Sequence, residues 1–529
     1  MSESLSSQPE PQAWHAPFNP WIIAVVVTLA TFMEVLDTSI ANVALPHIAG
    51  SLGAGINDAT WVLTSYLVSN AVMLPVSGWI VSLIGRRRFY LASVALFTSS
   101  SFLRGLAPNL PTLVFFRLVQ GIGGGGLQPS TQGILVDTFP PKRRGMGLAV
   151  YGMTVVAAPV IGPTLGGWIT DNASWRWIFF INIPVGILAL ALSSHFVTDP
   201  PYLVRRRVSE GLRIDWMGLG AIALGVGCMQ MALDIGERHD WLASNLIIGL
   251  VVVAVASLLF TLRHELVHPQ PIINLRLLAE SSFAVSIATM FLFGFVLYGS
   301  TVLLPLFMQT LLGYPAFQSG LAVSPGALAI MVLMPVVGWM VGHLDSRRMI
   351  AFGAVIVPYA LWKMSHFTLG VDFTSIVTAR VIQGVGLAFI FVPLTTVAYS
   401  AIDPRDRNAA SSLITFVRNV GASVGISSMT SLVTRRTQMH HAVLANHVSP
   451  LNTTYHVWVN TMTSFLAGFV PDHRMASQQT HDLLSKMVNA QARALAFDDA
   501  FALLAVMFLG IVPLAMFMRR TVARPEAQR

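Results

Sequence analysis

Two carboxylates three residues apart in an apolar stretch, Glu34 and Asp37, are the residues best placed to do chemistry in this chain. An ionised group in hydrocarbon costs on the order of several kcal/mol and is kept where it has a partner or a task. Residues three apart share one helix face. Arg117 is the basic counterpart: at roughly 1.5 Å per residue, Asp37 lies about 13 Å from the helix end at Pro46 and Arg117 about 10 Å from the end at Leu110. The two can therefore meet at similar depth. A helix movement that separates them favours proton uptake by the carboxylate, and the reverse movement favours release. Asp37 is expected to be the principal proton carrier, Arg117 its electrostatic partner and Glu34 a second acid facing a cavity; the bland alternative is a static ion pair that fixes two helices.

The other charges in apolar stretches have quieter readings. Arg104 and Asp234 lie near helix ends and are expected to snorkel to the interface, and Lys363 does the same if its helix tilts. Arg380 opens a late apolar run, and Arg418, followed by Asn419, is expected deeper, bonding backbone carbonyls of a neighbouring helix. Phe283 to Leu304 contains no acid, so proton-binding carboxylates are confined to the first half and the second half mainly shapes a cavity. Met33, Trp61, Phe293, Tyr298, Met308 and Arg418 are candidates for lining it.

These residues must be positioned by membrane-spanning helices. Of 529 residues, 54% are hydrophobic and only 11% charged, with mean hydropathy +0.66, which excludes a soluble globular enzyme. The net charge of +8 does not signal nucleic-acid binding, because the arginines sit in short clusters between apolar runs. Runs of roughly 20 residues match the bilayer core. They predict an all-α membrane protein with fourteen spans near 20–44, 58–83, 88–106, 111–136, 146–170, 176–197, 214–234, 242–262, 281–309, 317–342, 348–369, 376–400, 409–433 and 499–519. The first run is too long for a signal-peptide core. Short loops carrying Arg86 to Arg88, Lys142 to Arg144, Arg205 to Arg207, Arg213, Arg263, Arg276, Arg347, Arg348, Arg405 and Arg407, with tail residues Arg519 and Arg520, mark one side as cytoplasmic. Both termini fall there.

An internal repeat divides the chain. R-x-x-Q-G-x-G occurs from Arg117 to Gly123 and from Arg380 to Gly386, P-V-x-G-W from Pro75 and from Pro335, and the first helix ending Leu45-Pro46 returns as Leu304-Pro305. Nearly constant offsets imply two six-helix bundles, 20–197 and 281–519, with a linker 198–280 holding an inserted helix pair and with tails 1–19 and 520–529. The polar segment 434–498 contains His440, His441, His447, His456, His473 and His481 at irregular spacing, and the lone cysteine, Cys228, lies elsewhere. It is expected to be a solvated loop with some helix, such as 478–496, and no metal site is expected.

The stretches LDTSIANVALP (Leu36 to Pro46), GWIVSLIGRRR (Gly78 to Arg88), RLVQGIG (Arg117 to Gly123) and GPTLGG (Gly162 to Gly167) together resemble the major facilitator superfamily, in its fourteen-helix drug:proton antiporter branch. The resemblance implies the major facilitator fold. In the fifth span, Gly152, Gly162, Gly166 and Gly167 free one face for close helix contact and Pro159 and Pro163 bend the rod; the resemblance implies that this pattern marks exporters and seals the two bundles. Gly78, Gly85, Arg86 and Arg87 form a cytoplasmic gating loop in which glycine permits the turn. The family's usual aspartate is Ser82 here, leaving Asp137 to pair with Arg86 or Arg87. Glu34 also departs from the family's neutral residue, and it favours cationic substrates.

The expected function is proton-coupled antiport of hydrophobic or amphipathic compounds across a bacterial inner membrane, with no cofactor. The resemblance further implies a periplasmic membrane-fusion adaptor and an outer-membrane channel as partners, with 434–498 as the docking surface. An importer of a polar nutrient would need more polar core residues. A sensor remains the alternative outside transport, and no HExxH or Ser/His/Asp set points to an enzyme.

Overall fold

The computed structural model describes residues 16–203, 215–268, 271–400, 402–448, 452–470 and 472–518. Arg205 to Arg207, Arg213, Arg519, Arg520 and most of both tails lie outside them. Among the described residues there is no strand. In lipid every backbone polar group must be satisfied within its own segment, and long helices do this.

The first half supplies α1 (Pro20–Ser51), α2 (Trp61–Ile84), α3 (Arg86–Gly105), α4 (Leu110–Gly124), α5 (Leu127–Thr138), α6 (Arg144–Asn172) and α7 (Asn182–Phe196). The middle supplies α8 (Trp216–Ile235) and α9 (Asn245–Val267). The second half supplies α10 (Ser281–Thr310), α11 (Ala316–Val341), α12 (Ser346–Met364), α13 (Phe373–Ser400), α14 (Arg407–His447), α15 (Thr453–Ala467) and α16 (His473–Leu509). Helix starts are fixed chemically: Asn19, Asn109, Asp215, Asp345, Asn452 and Asp472 each accept a backbone N–H of the following turn, contributing about 1 kcal/mol apiece.

Ten described helices are long and apolar enough to cross a membrane, or eleven when α6 counts as one span bent by 40° between Pro159 and Thr164. The other three expected spans correspond to α3, the α4–α5 pair and α12: Arg86 to Arg88 and Arg104 lower the hydropathy of α3, Arg347, Arg348 and Lys363 that of α12, and the α4–α5 rod is interrupted at Gly125 and Gly126 into pieces of 15 and 12 residues, each shorter than a span. Pro46 does not end its helix as expected: it lies inside, and the helix runs on to Ser51, while the helix containing Pro305 runs to Thr310, one residue past the expected 309.

The expected loop 434–498 is corrected most. Nearly all of it is helix: the end of α14, all of α15 and most of α16. With 41 residues in α14 and 37 in α16, these rods reach about 60 and 55 Å, well beyond the roughly 30 Å hydrocarbon core. Thr463 of α15 and Thr480 of α16 join through a 3.1 Å hydrogen bond between buried hydroxyls.

Contact between α10 and α14 depends on glycine. A Cβ on Gly421 would sit 2.3 Å from the Phe291 carbonyl oxygen, and one on Gly294 2.2 Å from that of Arg418. Gly421→Leu must push the backbones apart. It is expected to cost about 1–3 kcal/mol or more, seen as a lower melting temperature of the purified protein; an unchanged melting curve would mean that the contact is looser than described.

Candidate functional site

α1 brings both acids into the core, and each meets a different set of groups. Asp37 is buried, and its Oδ1 accepts from Arg104 Nη2 and Asn182 Nδ2, both at 2.6 Å, while its Oδ2 accepts from Arg117. Arg117 also donates to the Val62 carbonyl at 3.0 Å and to Gln120 Oε1 at 2.8 Å. The guanidinium groups of Arg104 and Arg117 stand over the rings of Phe179 and Tyr66, at 4.1 and 4.4 Å from the centroids. The expected Asp37–Arg117 contact is made, and Arg104 is added to it.

Arg104 is the clearest correction. It does not snorkel but is 0% exposed. The end of its helix is roofed by Phe179 and Phe180, a Cβ on Gly105 falling 2.1 Å from the Phe180 ring, and Arg176 satisfies the carbonyls of Gly105 and Ala107. The half-buried Asp234 likewise accepts a hydrogen bond from Thr64, tying α8 to α2 instead of reaching for water.

Among the described residues Glu34 has no direct ion pair. Its Oε1 accepts from Tyr66 Oη at 3.0 Å and Asn70 Nδ2 at 3.5 Å, and its Oε2 from Gln128 Nε2 at 2.8 Å. Gln128 Oε1 in turn accepts from Tyr151 Oη at 3.0 Å and from Arg418. Gln132 donates to Tyr151 Oη at 3.0 Å and to Thr415 Oγ1 at 2.9 Å, and accepts from Tyr399 Oη at 3.2 Å. A buried polar chain thus runs from α1 through α5 and α6 to α13 and α14. Arg418 bonds side chains of this chain, not the backbone carbonyls expected of it, because Gln128 and Tyr151 reach across from the other half of the sequence.

Beside this chain lies a cavity of about 420 Å³ lined by Val155, Val156 and Pro159 of α6 and by residues of α10, α11 and α13, including Tyr298 and Arg380. Of the candidate cavity residues, Tyr298 lines it, while Phe293 and Arg418 line a small apolar gap next to it with Gly152. Met33 and Met308 are buried in the packed core, and Trp61 is 40% exposed at the start of α2. An indole can pack its apolar body at a helix end and keep its N–H in a wetter layer, so Trp61 belongs to the surface.

The glycines of α6 divide their work. A Cβ on Gly152 would strike Met334 and Phe391 of the second half at 2.6 to 3.0 Å, whereas Gly162 and Gly166 would strike Ser39 and Ile40 of α1. Pro159 accepts from Ser39 Oγ at 3.1 Å, and Gly167 accepts from Thr170 Oγ1 at 3.0 Å. The side chain of Pro163 lies outside the described residues. Of the expected pattern, then, Gly152 packs against the second half, Gly162 and Gly166 pack against α1, and Pro159 both bonds α1 and lines the cavity.

At the arginine-rich end Gly85 adopts φ +90°, a conformation that only glycine holds without strain, and starts α3. Arg86 pairs with Asp137 at 2.6 Å, and Arg407 of the second half also pairs with it. Arg87 turns away, its backbone N–H bonding Asp199 at 2.7 Å and its side chain the Ser194 carbonyl. Gly78 faces Ala409 and Ser412, and Ser77 meets Ser412 at 2.9 Å, so both halves are in contact here.

No metal site was expected. Among the described residues one group could hold a cation: Asp215, His264 and His268, with ligand atoms within 4.8 Å of one another. Burial raises the Asp215 carboxyl, but the Gly218 amide and His264 outweigh it and hold it below the ordinary value; the helix cap and a 2.6 Å contact to His264 already occupy this carboxylate.

Comparison with known proteins fits this architecture. The Major Facilitator Superfamily model matches residues 27–426. The chain is 36% identical to the multidrug export protein EmrB of Escherichia coli (strain K12) over 94% of its own length and 95% of that protein's. It is also 36% identical to the fatty acid resistance protein FarB of Neisseria gonorrhoeae, covering 93% and 94%. Among solved structures, the proton:xylose symporter XylE superimposes with TM-score 0.59 at 14% identity, covering 95% and 96%, and the human organic anion transporter MFSD10 with TM-score 0.59 at 13%, covering 94% and 100%. At such identities these two speak for the fold alone. A match over most of its length, together with the repeated R-x-x-Q-G-x-G helices and the paired halves, makes this chain a member of the major facilitator superfamily.

Proposed function

We propose that this chain is a proton-driven exporter that moves hydrophobic and amphipathic compounds out through a bacterial inner membrane by alternating access. The observation that carries the reading is the buried carboxylate Glu34 at one end of a side-chain chain that crosses between the halves beside a mostly apolar cavity. A walled apolar space suits lipophilic cargo, and a titratable group joined to both halves can make their separation depend on protonation. The names of the relatives, multidrug export and fatty acid resistance proteins, support the same direction of transport.

In this reading the two bundles are 20–197 and 281–519, fourteen spans cross the membrane, and both termini lie on the arginine-rich cytoplasmic side. The Asp137 pairs with Arg86 and Arg407 hold that side closed, so the chain faces outward. Proton exchange falls to Glu34 in place of Asp37. Protonating Asp37 would strip two buried guanidinium groups of their counter-ion, whereas the direct partners of Glu34 are all neutral donors. The projecting end of α14 with α15 and α16, which exposes Val457, Phe465, Phe469 and Met475, serves as the docking surface for a periplasmic adaptor that leads to an outer-membrane channel.

Reconstitution into proteoliposomes with an imposed pH gradient tests the function. A lipophilic fluorescent dye is expected to move against the proton flow and to stop when the gradient is collapsed. Dye movement with the protons would favour an importer, and an unchanged distribution would favour a sensor.

A further inference from the structure

The two copies of R-x-x-Q-G-x-G fold alike and are neutralised differently. In each, the arginine donates to the glutamine three residues on: Arg117 to Gln120 at 2.8 Å, Arg380 to Gln383 at 2.6 Å. Arg117 then meets the carboxylate of Asp37. Arg380 meets hydroxyls, Thr301 Oγ1 at 2.7 Å and Ser300 Oγ at 3.4 Å, and Gln383 shares Ser300 at 2.8 Å. The helices around it, α10, α11 and α13, contain no Asp or Glu, and the one acid of α6, Asp171, stands near that helix's C-terminal end. No carboxylate pairs with Arg380 among the described residues.

A guanidinium that is 7% exposed and hydrogen-bonded only to neutral groups is an uncompensated charge in a low-dielectric site. It stays protonated in proteins, so its compensation must come from an anion. Arg380 also lines the 420 Å³ cavity, whose other walls are chiefly aliphatic, with Val155, Val156, Leu297, Val323 and Ile330 among them. That volume lies within the roughly 300–1,000 Å³ of pockets for small molecules. One fixed positive charge in an apolar chamber matches one charged head on an apolar body, and a planar guanidinium fork suits a carboxylate in particular.

We propose that this cavity is a binding site for small lipophilic carboxylates and that Arg380 is the residue that selects them, through a charge-assisted contact that Thr301 and Gln383 orient. The proposal rests on the exporter reading for its biological meaning, but the site can be tested without transport. Desolvation favours the anion only where the guanidinium awaits it. A neutral amide of the same shape gains the apolar walls and not the charge, and a lipophilic cation is repelled.

The test is equilibrium binding of radiolabelled 1-naphthylacetate and of its neutral isostere 1-naphthylacetamide, at pH 7, to the full-length protein in nanodiscs of zwitterionic lipid, with empty discs subtracted. The wild-type protein is expected to bind the acid at least about tenfold more tightly than the amide. Arg380→Gln should abolish that preference while leaving the amide within about twofold, and Arg380→Lys should keep part of it. Equal affinities in the wild type, or a preference that survives in Arg380→Gln, would overturn the assignment. If Arg380→Gln melts well below the wild type, the acid-to-amide ratio of the wild type and of Arg380→Lys decides. Wild-type protein that prefers the acid but moves neither an anionic nor a neutral lipophilic dye in the vesicle assay would sink the exporter reading and leave the site standing; export of either dye without acid preference would do the reverse.

Discussion

Glu34→Gln is expected to abolish gradient-driven export, to the level of empty vesicles, while the protein folds and melts normally. Glutamine has nearly the same shape and keeps an oxygen to accept from Tyr66 Oη, while its NH2 stands where Gln128 Nε2 donates to the carboxylate, so it imitates the protonated carboxyl and cannot titrate. As a carboxylate, Glu34 accepts from Gln128 Nε2 at 2.8 Å, which leaves Gln128 Oε1 facing Arg418 and Tyr151. A protonated carboxyl becomes a donor. It then competes for Gln128 Oε1, and the link to α14 is the bond that yields. On the proposed reading, proton uptake at one helix is converted in this way into a weaker hold between the halves, the kind of differential contact a two-state transporter requires. Parallel measurements of dye export, thermal melting and dye binding decide it. Normal export by Glu34→Gln would remove Glu34 from the coupling path and return the carrier role to Asp37.

Asp37→Asn is expected to act on the fold first. The mutant leaves Arg104 and Arg117 buried with no carboxylate between them, a loss of the kind that costs about 3–5 kcal/mol. Protein reaching the membrane should fall several-fold and its melting temperature should drop. Removing one of the stranded charges in the same chain, Asp37→Asn with Arg104→Gln, should recover part of both, because the surviving arginine keeps Gln120 and the Val62 carbonyl. A carrier role for Asp37 makes the opposite demand: normal amount and melting, lost gradient-driven export, and no rescue from the second substitution. Membrane yield, melting and export measured on the single and double mutants separate the two.

The membrane-spanning character, the repeat and the family were legible in the residues. Apolar run length is set by bilayer thickness, a local quantity, so the apolar rods can be counted along the chain. The R-x-x-Q-G-x-G copies carry their own internal Arg–Gln bond, which depends only on helical spacing. Gly85 announced its turn because positive φ is a property of one residue. Depth estimates also brought Asp37 and Arg117 together, since rise per residue needs no knowledge of neighbours.

Only the tertiary structure decided which charges are compensated. Arg104 stands at a helix end, where a flexible cation ordinarily finds water, but Phe179 and Phe180 come from a distant stretch and close that route. Arg407 and Asp137 are 270 residues apart and meet because the halves touch at one end. Polarity alone made 434–498 a loop, for hydropathy measures the affinity of side chains for lipid and says nothing of whether a backbone beyond the bilayer is helical; pairing of α15 with α16 decides that. Arg117 and Arg380 occupy matching motifs with the same local bonds, yet one has a carboxylate and the other has two hydroxyls. That difference lies wholly in the helix packed opposite, α1 with Asp37 or α10 with Ser300 and Thr301, since a charge is compensated through space and not along the chain.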